Sequence, residues 1–342
     1  MLPKQVSSES IYVKTRPAKP LVSIVLPAFN EEATLQTTIS RISDVMQNLD
    51  LTYEIIVVND GSSDQTKTVL EDLVKRHTEV KAIHFSRNFG HQIAVTAGVD
   101  HAIGDVVVLM DADLQDPPEL IEQFLEKWRE GYDVVYAVRQ KREGESWFKK
   151  ISAHLFYRVL RAMTDIDIPM DTGDFRLMSR EVALTLSAIR ERHRFIRGMI
   201  AWMGFRQIGV PYERQERFAG ESKYPLRKMI RFSIDGITSF SFRPLQFATH
   251  VGVFVAFCGF LGMLAVLYEK IFTRNTVQGW TSLMLVVLFL GGIQLILLGV
   301  VGEYIGRIYD EVRGRPMYIV EQRSNLNHSA LEQAQSINKN RE

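Results

Sequence analysis

Two carboxylates one residue apart, Asp111 and Asp113, close the apolar run Val106–Met110 and are followed by Gln115 and Asp116. Acidic side chains at that spacing just past a strand project near each other and repel. A bound divalent cation removes that cost, and hard oxygen ligands select Mg²⁺ or Mn²⁺. Such a cation suits a diphosphate leaving group, whose departure builds negative charge. A solvated acidic turn is the plain alternative. Other candidate residues end similar apolar runs. Pro27-Ala28-Phe29-Asn30-Glu31-Glu32 follows the first run and Asn59-Asp60-Gly61-Ser62-Ser63-Asp64 the second. Asp60 is placed to accept from a base or ribose donor, Gly61 allows close backbone approach, and Asp64 fits a helix N-cap. Ser86-Arg87-Asn88-Phe89-Gly90 closes the third run with a cation on an exposed turn. These strand ends carry neither a dinucleotide glycine fingerprint nor a Walker phosphate loop, which disfavours a Rossmann dehydrogenase.

A βα rhythm must position these residues. Val22–Leu26, Glu54–Val58, Ala82–Phe85 and Val106–Leu109 are short, apolar or β-branched, and closed by polar residues or glycine. Between them Glu31–Asn48, Asp64–His77 and Gly90–Ile103 read as helices, the alternation of a parallel sheet. A fifth strand is expected at Asp133–Val138, after a helix opened by Pro117–Pro118. Ligands of an open α/β sheet bind at the carboxyl ends of its strands, where the motifs above lie.

The chain has 342 residues, 46% of them hydrophobic, with 41 basic and 40 acidic side chains. That excludes a disordered or collagenous chain and gives no global reason to expect a nucleic-acid partner. The single cysteine, Cys258, excludes a disulfide scaffold and reads as a buried, inert thiol. Residues 244–268 and 275–302 hold no Asp, Glu, Lys or Arg, and each stretch exceeds the roughly 20 residues that cross a bilayer core. Residues 1–20 lack the apolar core of a signal peptide and read as a flexible lead-in. Arg227, Lys228, Arg231 and Arg243 precede the first stretch and Arg307, Arg313 and Arg315 follow the second, against Lys270 and Arg274 between them. The positive-inside rule therefore places both termini in the cytoplasm, on a two-span hairpin. Two amphipathic stripes carry basic flanks, as interfacial helices do. Trp147, Ile151, Leu155, Val159 and Met163 fit the membrane interface or the sheet equally; Leu226, Ile230, Ile234 and Ile237 run straight into a span and fit the interface.

Taken together, Pro27–Glu32, Asn59–Ser62 and Asp111–Asp113 with Gln115 resemble the GT-A, family 2 inverting glycosyltransferases. Asp171–Leu177 (DTGDFRL) and Arg217–Tyr224 (RFAGESKY), followed by two spans, resemble its polyprenyl-phosphate branch. That branch includes dolichol-phosphate mannose synthases and bactoprenol glucosyl transferases. The likeness covers about residues 20–320. A Gln-x-x-Arg-Trp motif is missing, its nearest counterpart being Arg194–Gly198, so the processive polysaccharide synthases are a poor guide.

The resemblance implies a Rossmann-like, mostly parallel α/β catalytic domain over residues 21–224 and an interfacial helix over 225–243. It further implies two transmembrane helices within 244–303 (about 246–268 and 280–302) and a cytoplasmic tail, 304–342, on a multi-pass protein of the inner membrane. Pro27, Ala28, Asn30, Glu32 and Asp60 would hold the nucleoside, with Ala112 beside it. Asp111, Asp113 and Gln115 would manage Mg²⁺ or Mn²⁺ and the donor phosphates. Asp174 would be the catalytic carboxylate near the acceptor, Asp171 the second choice, with Arg176 open as a structural partner of either. Arg217 and Lys223 would bind phosphate of the donor or of the lipid. Arg139, Arg142, Arg194 and Arg197 would complete the acceptor site or form a solvated basic face. The implied reaction moves a hexose, glucose being expected, from a UDP-sugar to undecaprenyl or another polyprenyl phosphate. The alternatives are a GDP-mannose, modified-arabinose or aminosugar donor, or an inactive membrane scaffold. Two spans are few for moving a glycolipid across a bilayer, so a synthase is expected. Oligomeric state stays open, a homo-oligomer being one way to cover the helix faces.

Overall fold

The computed structural model describes residues 16–139, 172–212, 243–272 and 279–326. Its centre is an eight-stranded sheet: β1 (Val22–Ala28), β2 (Tyr53–Asn59), β3 (Val80–Phe85), β4 (Val106–Leu109), β5 (Val134–Arg139), β6 (Thr172–Ser179), β7 (Gln207–Tyr212) and β8 (Val320–Ser324), in the order β7-β5-β6-β4-β1-β2-β3-β8. β4, β1, β2 and β3 run parallel, β6 runs antiparallel to β4 and β5, and β8 runs antiparallel to β3. The five expected strands are present: β1, β2 and β3 run two residues longer than expected, β4 has the expected bounds and β5 is shifted by one residue. They read as continuous apolar runs because helices cover both faces.

The helices are α1 (Leu35–Asn48), α2 (Thr66–Arg76), α3 (His91–His101), α4 (Leu120–Arg129), α5 (Arg180–Ala188), α6 (Ile196–Trp202), α7 (Arg243–Phe272) and α8 (Trp280–Val312). On one face α1 presents Leu35, Ile39, Ile42 and Met46 at helical spacing, joined by Leu70 of α2 and Phe124 of α4. On the other, Ala94 and Ala97 of α3 pack with Val182 of α5 and Met199 of α6. Small residues let α3 lie close to the sheet: a Cβ on Gly98 would stand 2.2 Å from Val25 Cγ1. The chain runs β1, β2, β3 outward and then returns to place β4 on the far side of β1. The crevice between β1 and β4 is thus the switch point where such sheets take ligands.

The expected hairpin is met in part. α7 and α8 pack against each other and expose large apolar residues such as Phe254 (67%) and Leu295 (71%). One segment among the described residues, Phe289–Val312, is long and apolar enough to cross a membrane; Ala248–Gly262 is apolar but shorter. Cys258 corrects an expectation: it is exposed on α7, because that apolar run faces outward and not into a core. Both amphipathic stripes, 147–163 and 226–237, lie outside the described residues.

Candidate functional site

The loops after β1 and β2 are stitched into one platform. The Asn30 N–H donates to Ser62 Oγ (3.0 Å), while Asn30 Oδ1 accepts from the Ser63 N–H (2.9 Å). Glu32 Oε2 accepts from the Gln65 N–H (2.8 Å). The N-cap of α2 is Gln65 and not Asp64 as expected; Asp64 lies one residue earlier and accepts from the Thr66 N–H (3.0 Å). Pro27 and Ala28 end β1 beside Val58 and Asn59, and the Ala28 carbonyl accepts from the Asp60 N–H (2.9 Å). Gly61 adopts φ +64°, and a Cβ there would stand 2.3 Å from the Arg87 carbonyl carbon, so the third loop lies against the second.

Asp60 is buried at this junction. Its two carboxylate oxygens accept from the N–H groups of Phe89 (2.6 Å) and Gly90 (2.9 Å). Burial raises its pKa, and those two hydrogen bonds counter the rise. It therefore anchors the Ser86–Gly90 loop, a part that its residue type alone did not suggest.

After β4 the acidic motif curls into a tight turn with Leu114 at φ +62°. Asp113 Oδ1 accepts from the Gln115 N–H (3.1 Å), and Ala112 is buried with its carbonyl held by Thr38 Oγ1 (3.0 Å). Gln115 is buried, and its Oε1 has no hydrogen-bond partner among the described residues. Asp116 accepts from the Asp111 N–H (3.3 Å) and the Tyr212 hydroxyl (3.2 Å), fastening this turn to the end of β7. Arg139, at the end of β5, donates to the same hydroxyl (3.4 Å).

Antiparallel β6 brings the second carboxylate to the first. Its register pairs Arg176 with Leu109, so two residues on past the end of β4 and two residues back along β6, Asp174 meets Asp111. Asp174 Oδ1 accepts from Arg197 Nε (2.7 Å), and Oδ2 accepts from His91 Nε2 (3.1 Å) and Gln92 Nε2 (3.3 Å). His91 Nε2 also lies 3.8 Å from Asp111 Oδ1. Burial opposes ionisation of Asp174, but Arg197 and His91 outweigh it and hold the carboxyl well below the usual carboxylate range. Burial likewise works against a charge on His91, yet the Asp174 hydrogen bond and the Asp111 charge push its pKa up to about 9. Asp111 moves upward, through burial and the nearby Asp174 and Asp113 charges.

Of the arginines, Arg197 joins this cluster and also donates to the Thr172 carbonyl (2.8 Å). Arg194 does not. It is buried, donating to the carbonyls of Leu186 (3.0 Å) and Ile189, where it closes the end of α5. Arg176 is structural too, donating to the Gly173 (3.0 Å) and Asp174 (3.3 Å) carbonyls, with its pKa pulled to about 10 by burial. Asp171, Arg142, Arg217 and Lys223 lie outside the described residues. His91, Gln92 and Tyr212 belong to none of the motifs, and Asp116 stands in the acidic motif without a role assigned to it. For His91 and Gln92 the available signal was their place right after the third strand's loop, at the crevice.

Comparison with known proteins covers most of the chain. A family model described as glycosyl transferase family 2 matches residues 23–186, and one described as the GtrB C-terminal hairpin matches residues 243–308. The chain is 53% identical over 309 residues to the uncharacterized glycosyltransferase YkcC of Bacillus subtilis, covering 90% of this chain and 96% of the relative. It is 41% identical over 300 residues to the SfII prophage-derived bactoprenol glucosyl transferase of Shigella flexneri, covering 88% of this chain and 97% of the relative. Among solved structures, the mannosyltransferase PcManGT of Pyrobaculum calidifontis in complex with GDP-Man and Mn²⁺ aligns with a TM-score of 0.43 at 22% identity, over 60% of this chain and 59% of that one.

Proposed function

This chain belongs to glycosyl transferase family 2, and on that footing we propose that it transfers glucose from UDP-glucose to a polyprenyl phosphate at the cytoplasmic face of the membrane. The observation that carries this reading is the meeting of Asp111, at the donor end of the crevice, with Asp174 through one imidazole at 3.8 and 3.1 Å. Relatives named bactoprenol glucosyl transferase support the lipid acceptor. The basic residues flanking α7 and α8 support a hairpin with both termini in the cytoplasm.

In this reading the platform of Pro27, Ala28, Asn30, Glu32 and Asp60 holds the nucleoside. Asp111, Asp113 and Gln115 would hold a divalent cation, and they fit one: all three offer hard oxygen, and the buried Gln115 Oε1 has no other partner among the described residues. When bound, Mg²⁺ or Mn²⁺ would neutralise charge on the departing diphosphate. A lipid phosphate already carries its second negative charge near neutral pH, the second pKa being about 6, so its oxygen needs no base to attack the anomeric carbon. The phosphate-oxygen–carbon bond forms as the bond to UDP breaks, inverting an α-linked donor to a β-linked lipid phosphate.

Asp174, with both oxygens engaged by donors, orients Arg197 and His91 and so keeps their positive charge at the crevice, facing the anionic oxygens. Arg139, Arg142, Arg217 and Lys223 add positive charge for the two phosphate groups. Asp171 is the reserve choice for the catalytic carboxylate. The test is transfer of labelled glucose from UDP-glucose to undecaprenyl phosphate in detergent, with Mn²⁺ and with chelator. Metal-dependent label in the lipid phase is expected. An unlabelled lipid with UDP-glucose, UDP-galactose, GDP-mannose and aminosugar donors alike overturns the reading.

A further inference from the structure

In the last turn of α8 and just beyond it the chain returns to the catalytic sheet. Glu311 accepts from the Arg192 N–H (2.7 Å), Asp310 pairs with His193 (3.4 Å), and Arg194 reaches Met317 Sδ (3.9 Å). Tyr318 then stacks on Phe85, the ring centroids 5.1 Å apart at 20°. Its hydroxyl donates to Asp100 Oδ2 (3.0 Å), which also holds Arg190 (2.8 Å). The Ile319 carbonyl accepts from the Ser86 N–H (3.1 Å), and Val320 begins β8 against β3.

Those contacts fall on the loop that organises the site. Phe85 carries Tyr318 on one side and meets Phe89 edge-on (5.5 Å, 86°). Phe89 and Gly90 give their N–H groups to Asp60, and the next residue, His91, reaches Asp174 and Asp111. The Gly61 turn lies against the loop from the other direction, so close that a Cβ there would stand 2.3 Å from the Arg87 carbonyl carbon. The loop is therefore held between the nucleoside platform and the segment that leaves α8.

We propose that Tyr318 is a positioning residue: by stacking on Phe85 it braces the Ser86–His91 loop, so that the end of α8 sets the placement of both Asp60 and His91. A transferase acting on a lipid headgroup needs its crevice aligned with the helix that enters the bilayer, and this brace makes that alignment part of the site. The kinetic consequence rests on the function proposed above; the bracing itself does not.

The experiment compares wild type, Y318A and Y318F as full chains in detergent, by amide hydrogen exchange and by donor kinetics. In Y318A the Phe89 and Gly90 amides exchange about tenfold faster and the KM for UDP-glucose rises by about the same factor, the scale of a lost aromatic contact. Amides of β1 and β4 stay within about twofold. Y318F, which keeps the stack and loses only the hydroxyl, returns both readouts to within about twofold of wild type. Unchanged exchange at Phe89 and Gly90 in Y318A overturns the proposal. So does a Y318F variant as impaired as Y318A, or a speeding of exchange spread evenly over the sheet. A wild-type protein that transfers no sugar overturns the function reading alone, because the exchange measurement still reports on the brace.

Discussion

Replacing Asp174 by Asn removes one negative charge and changes one acceptor into a donor at the centre of the cluster. The Asn oxygen can still accept from Arg197 Nε, but as a neutral acceptor, which forfeits about 1–2 kcal/mol of the charge-assisted bond. The new amide N–H₂ then faces the donors of His91 and Gln92, now 3.1 and 3.3 Å from Oδ2, and a buried donor set against donors costs about 1–3 kcal/mol more. Arg197 keeps 26% of its side-chain surface in solvent, so water screens part of the loss, and the expected destabilisation is about 2–3 kcal/mol. Thermal unfolding should register this as a midpoint lowered by about 5–10 °C.

The effect on rate follows from position and not from lost basicity. Asp174 is held ionised by Arg197 and His91 against the effect of its burial, so its titration lies below the working range. A displacement of about 1 Å in Arg197 or His91 is worth about 10²-fold in turnover, or about 2.7 kcal/mol of barrier. In the lipid-transfer assay D174N should thus lose about 10²-fold in kcat with a donor KM within about threefold of wild type. Its pH–rate profile should retain the acid limb near pH 6 that belongs to the lipid phosphate, since Asp174 is not the group losing its proton there. Near-wild-type turnover with normal donor binding would refute the positioning argument. Disappearance of the acid limb in D174N would refute it as well and make Asp174 the base.

Three other outcomes are expected. His91 has its pKa raised from 6.5 to about 9, so its ion pairs contribute stability that is complete below about pH 6.5 and is lost as pH rises through about 9; with chelator present, the unfolding midpoint of wild type should fall across that window, and H91Q should lack the fall. R194M leaves the Leu186 and Ile189 carbonyls at the end of α5 without their donor, which should cost about 2–4 kcal/mol in denaturant unfolding while turnover per folded molecule stays within about twofold, a result that a phosphate-binding Arg194 would not give. G61A places a Cβ 2.3 Å from the Arg87 carbonyl carbon at φ +64°, so it should destabilise by at least about 2 kcal/mol and raise the donor KM by about tenfold, measured by thermal unfolding and initial rates.

Much of this molecule could be read from local pattern. Alternating apolar runs and helical stripes specify the βα series because burial of a strand on both faces, or of a helix on one, depends on residues close together in the chain. The strand-end motifs were legible for the same reason: Asp60, Asp111, Asp113 and Gln115 fall at the carboxyl ends, where an open sheet takes ligands. Apolar length likewise marked the C-terminal segment as membrane-associated. Antiparallel pairing and its register depend on contacts between distant segments, and those decided the rest. Arg176 opposite Leu109 brings Asp174 level with Asp111 across 63 residues of chain. From that follow the engagement of both Asp174 oxygens, the raised His91 pKa, and the separation of Arg197 from Arg194, three positions away in a shared basic stretch. Residue types announced which groups could do chemistry; only the sheet order, by setting distances of 3 to 4 Å between groups far apart in sequence, decided which of them act together.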